Sequence, residues 1–74
     1  MGMMQKLATL IEERLKERAF CLVFEPDLEG CWPSDKMDSA ERERQIQAFA
    51  RAHEWHASIL PIESGMRAIF RLNV

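Results

Sequence analysis

The sequence predicts an α+β fold: two helices packed on one face of a small three-stranded mixed sheet, in the order α-β-α-β-β. Three observations carry this. Two segments repeat apolar residues at helical spacing. Three shorter segments run apolar or alternate, and prolines or glycine bound them. The chain has 74 residues, which sets residues 1–74 as a single domain. Apolar residues make up 47% and charged residues 30%, the balance of a folded globule and not of a disordered tail.

Residues 3–18 read as an amphipathic helix. Met4, Leu7, Leu10, Ile11 and Leu15 share a side, and Gln5, Lys6, Glu12, Glu13, Lys16 and Glu17 cover the other. No strong capping residue opens it. Residues 20–25 read as a strand, apolar almost throughout, which Pro26 ends. Residues 26–37 carry two prolines and a glycine and read as an irregular connector. Asp38-Ser39-Ala40-Glu41 then resembles a capping box and starts a helix that runs to about Glu54. Ile46, Phe49, Ala50 and His53 form its apolar side.

Residues 55–60 alternate as a strand, with Trp55, Ala57 and Ile59 on one side and His56, Ser58 and Leu60 on the other. Pro61 closes it, and residues 62–65 make a turn. Residues 66–72 form the last strand and complete a hairpin. Met66, Ala68, Phe70 and Leu72 make its apolar side, opposite Arg67, Ile69 and Arg71. The strand–helix–strand order predicts a right-handed crossover with the first two strands parallel. In that arrangement Phe20, Leu22 and Phe24 meet Ile59, Phe70 and the helices. Cys21, Val23, Leu60 and Ile69 lie on the opposite face, beside His56, Ser58, Arg67 and Arg71, and nothing remains to cover them. This core is compatible with part of a ferredoxin-like plait, a superfold that hosts many functions and assigns none.

Net charge is −2, which gives no drive toward nucleic acid or an anionic membrane. No run is long enough to span a bilayer. Residues 1–15 lack the apolar core of a secretory leader, so a reduced cytoplasmic setting is expected, with Cys21 and Cys31 as thiols.

Residues 25–36 mimic the start of a calcium loop through Glu25, Asp27, Glu29 and Gly30. The twelfth position is Lys36, where such a loop requires a bidentate glutamate, so a solvated acidic connector is the better reading. Cys21, Cys31, His53 and His56 are zinc-ligand types at spacings that suit no zinc motif. Cys31 could be a nucleophile with a histidine as base, but no third residue is evidently placed to orient that base, no anion hole is visible, and neighbouring acids favour its thiol form. No catalytic residue, metal or cofactor is expected.

What is expected is a non-enzymatic protein that works by association, as a homodimer or as an accessory subunit of another protein. Its interface residues would be Val23, Trp32, Ile69, Arg67 and Arg71, since an uncovered apolar stripe marks an interface and tryptophan is a frequent anchor. The alternative is a sensor domain that binds a small anionic ligand through His56, Ser58, Arg67 and Arg71. Nucleic acid is not expected, because this reading places no aromatic on the open face.

Overall fold

The computed structural model describes residues 2–63 and 65–73; Ser64, expected in the hairpin turn, lies outside the described residues. The fold is α+β, with three helices and a three-stranded antiparallel sheet. Helix α1 spans Met3–Glu17, β1 Cys21–Val23, α2 Glu25–Cys31, α3 Ser39–Ala52, β2 Trp55–Ile62 and β3 Gly65–Leu72.

Helix α1 starts without a side-chain cap, whereas α2 and α3 start where local chemistry favours it. Asp38 accepts a hydrogen bond from the Glu41 backbone N–H at 2.8 Å and so caps α3. The extra helix, α2, replaces much of the expected connector. Pro26 sits in its first turn, where a missing N–H costs nothing and the ring presets the backbone angle. Glu25 and Asp27 add negative charge at the same positive helix end.

The sheet is not mixed. Its order is β1-β3-β2, and both pairings are antiparallel. β1 and β2 run in the same direction, as the crossover requires, but they are not neighbours. The hairpin returns β3 into the slot between them.

Both outer edges are blunted. The Asn73 N–H donates to the Glu54 carbonyl at 3.1 Å, so the alternation along this pair turns the backbone groups of residues 55, 57, 59 and 61 outward. Gln47 from α3 donates its side-chain N–H to the Ala57 carbonyl at 2.9 Å, and Pro61 has no N–H to offer. β1, with three residues, offers almost no edge at all.

All three helices bury their apolar sides against the same side of the sheet. Leu7, Ile11 and Leu15 of α1, Leu28 of α2, and Ile46 and Ala50 of α3 form one core with Cys21, Val23, Trp55, Ala57, Met66, Ala68 and Phe70. The inward set of β1 is therefore the opposite of the one expected. Cys21 and Val23 point in, while Phe20, Leu22 and Phe24 are 44%, 38% and 46% exposed. No polar residue in 20–24 fixes which side of β1 faces in, so packing decides it, and the pairing sets Cys21 and Val23 beside the buried Phe70 and Ala68.

Two interface candidates fall with this correction. Val23 is 1% exposed and Trp32 is fully buried, so neither reaches a partner. The Trp32 ring meets Phe49 edge-on at 5.3 Å between centroids. Leu72, expected in the core, lies exposed at the end of β3.

Just past α3, Glu54 holds φ at +60°, a left-handed backbone that favours glycine. Its N–H donates to the Arg51 carbonyl at 3.0 Å, which closes the helix end. Glu54→Gly is expected to stabilise the fold by about 0.5–1 kcal/mol, because glycine meets no Cβ penalty there. Thermal melting checks this: a rise of roughly 4–8 °C per kcal/mol is the scale for a domain of this size, and a fall contradicts it.

Candidate functional site

Two regions of the fold hold polar groups in defined geometry. One is internal. Arg42, the only charged side chain buried in the core among the described residues, is 4% exposed on α3. Its Nε donates to the Trp32 carbonyl at 2.9 Å, and Nη2 donates to Glu25 Oε2 at 2.8 Å. The other oxygen of Glu25 accepts the Met66 backbone N–H at 3.0 Å. β1 ends at Val23, which leaves the start of β3 with β2 on one side and no strand on the other. The Glu25 carboxylate stands in for the missing strand there. Gly65, with φ at +138°, lies so close that a Cβ would overlap the Glu25 side chain. The acidic stretch thus begins with a structural clasp and not with a calcium ligand.

Glu29, further along the stretch, is also held by the chain itself. Glu29 accepts from the Ser34 N–H at 3.0 Å and from its hydroxyl at 3.2 Å, and these bonds hold its carboxyl below the usual range. Among the described residues no three His, Cys, Asp or Glu side chains gather as metal ligands. Burial pushes the Cys21 thiol up. Burial and then the Asp27 charge push up that of Cys31. Neither is an activated nucleophile. His53 stacks on Trp55 at 4.7 Å and 18° between planes, an aromatic contact at the end of α3.

The other region is the side of the sheet that no helix covers. The register sets out its rows. His56 lies opposite Arg71, Ser58 opposite Ile69 and Leu60 opposite Arg67, and Leu22 of β1 flanks Ile69 on the far side. Extending the β1 pairing by one residue each way sets Phe20 beside Arg71 and Phe24 beside Arg67. Phe20, Leu22, Phe24 and Leu60 are all more than a third exposed. Ile69 and Arg67 are half-buried, Ser58 likewise, and His56 and Arg71 are exposed.

Of the residues expected at functional positions, the structure gathers Ile69, Arg67, Arg71, His56 and Ser58 on this face, turns Val23 to the opposite side of the sheet and buries Trp32, expected on a separate loop, in the core. Phe20, Leu22 and Phe24 are the residues that sequence reasoning put on the wrong side. Five consecutive apolar residues, 20–24, contain no polar one to mark the outer face, so alternation alone had no sign.

The charge of the face is one-sided. None of the three strands contains an acidic residue. Arg67 and Arg71 make no salt bridge among the described residues. Arg67 Nε is buried and has no acceptor among them.

No protein-family model matches this chain, and no curated protein and no solved structure shows significant similarity to it. Among the described residues no helix is long and apolar enough to cross a membrane.

Proposed function

We propose that this protein is a non-enzymatic association module whose working surface is the open sheet face, and that the face closes on a second copy of the chain. The observation that carries the reading is the run of half-exposed large side chains, Phe20, Leu22, Phe24 and Leu60, around Ile69 on a face with no covering layer. The folded chain exposes 5105 Å², where a monomer of 8.6 kDa ordinarily exposes about 4,700 Å².

Face packing is favoured over edge pairing, because Gln47 and Pro61 blunt the β2 edge and β1 is too short to extend. The four exposed apolar residues offer roughly 300 Å² per copy, taking a phenylalanine as about 200 Å². A standard interface buries about 800 Å² on each side, so this dimer belongs at the small end and should be micromolar in affinity.

Light scattering at about 100 µM in phosphate buffer tests the reading. The expected mass is twice that of the 8.6 kDa chain. Ile69→Glu places a carboxylate in the middle of the central strand and should give a monomer with an unchanged circular dichroism spectrum. A monomeric parent protein at that concentration refutes the proposal.

A further inference from the structure

The geometry points to an oxyanion site between the two copies: association of this face requires a multivalent anion of the phosphate class, held by Arg67 and Arg71 of both chains. This rests on the dimer reading above and adds its condition.

Symmetry supplies the argument. β3 is the middle strand of three, so a two-fold through the centre of the open face, along or across the strands, sets β3 over its own copy. An axis along the strands brings Arg67 over Arg67 and Arg71 over Arg71. An axis across them brings Arg67 over Arg71. In both cases four guanidinium groups enter one interface across a gap of about 10 Å, the usual spacing of packed sheets. The strands bring no carboxylate to meet them. Unpaired charges of one sign oppose closure, and the exposed apolar area is too small to override that by a wide margin.

Arg67 also cannot leave the problem to solvent. Its Nε is already out of water and without an acceptor, a donor awaiting an oxygen. A phosphate-type oxyanion accepts paired N–H bonds from guanidinium groups and neutralises two or more of them. His56, opposite Arg71, and Ser58, opposite Ile69, put further donors on the same face. The anionic-ligand residues and the interface residues are thus one site.

The test compares the dimer dissociation constant by sedimentation in phosphate with that in sodium chloride at matched ionic strength. At least about tenfold tighter association in phosphate is expected. Arg67→Gln/Arg71→Gln should dimerise to the same degree in both salts, because the charge that needed the anion is gone. Equal association of the parent protein in both salts overturns the anion site and leaves the dimer standing. A monomer in both salts removes the dimer itself. A short single-stranded oligonucleotide that binds one chain without dimerising it also overturns the proposal, in favour of phosphates belonging to a nucleic acid laid across Phe20, Phe24 and the two arginines.

Discussion

Glu25→Ala is expected to destabilise the fold by about 3–5 kcal/mol, the scale for removing one partner of a buried ion pair. The loss has two parts. The Arg42 guanidinium, with 5% of its side chain exposed, keeps the Trp32 carbonyl but loses its close carboxylate. Glu29 lies 3.8 Å away on a more exposed side chain and compensates little. In addition, the Met66 N–H loses its acceptor on the side of β3 that β1 is too short to reach. A domain of 74 residues has roughly 4–11 kcal/mol of total stability. The variant should therefore be close to unfolding at room temperature. Urea denaturation followed by circular dichroism measures it. Pairing it with Arg42→Met should recover part of the loss, since the buried charge then disappears with its partner. A single-variant loss under about 1 kcal/mol would show that the clasp is ornamental.

Trp32→Ala is expected to cost about 3–5 kcal/mol, the range for deleting a buried large aromatic. Trp32 is fully buried within the core and packs edge-on to Phe49. Its carbonyl holds Arg42, so the connector between α2 and α3 is fastened from both ends. Trp32→Phe should be milder. It keeps an aromatic against Phe49 and removes an indole N–H that is buried without an acceptor among the described residues. Urea unfolding of both variants orders them. Equal losses would mean that the ring's contact with Phe49 contributes nothing particular. A stable Trp32→Ala protein would place the residue outside the core.

The α+β class was legible in the chain, and so were both long helices and the hairpin. Leu7, Ile11 and Leu15 repeat at helical spacing, and Trp55, Ala57 and Ile59 alternate against His56, Ser58 and Leu60. The Asp38 cap was legible too, because it depends on a residue three positions along. The helix at Glu25–Cys31 was not. Its glycine and proline signal a loop in general, and only the proline's position in the first turn makes it compatible with a helix. The candidate site was half legible. The β3 positions Arg67, Ile69 and Arg71 were assigned to the open face from alternation, because β3 has a polar side to set its sign. β1 has none.

Residue order alone therefore determined what nearest neighbours along the chain decide: periodicity, caps, turn positions and the lack of acids in the strands. Tertiary structure alone decided that β3 enters between β1 and β2, that Trp32 takes the interior volume, that Phe20, Leu22 and Phe24 turn outward, and that Glu25 replaces a missing strand beside Met66. The physical reason is range. Local rules act over three or four residues, whereas strand order, inner-face sign and the Glu25–Arg42 clasp depend on side-chain volume and hydrogen-bond partners brought together from 17 to 41 residues away.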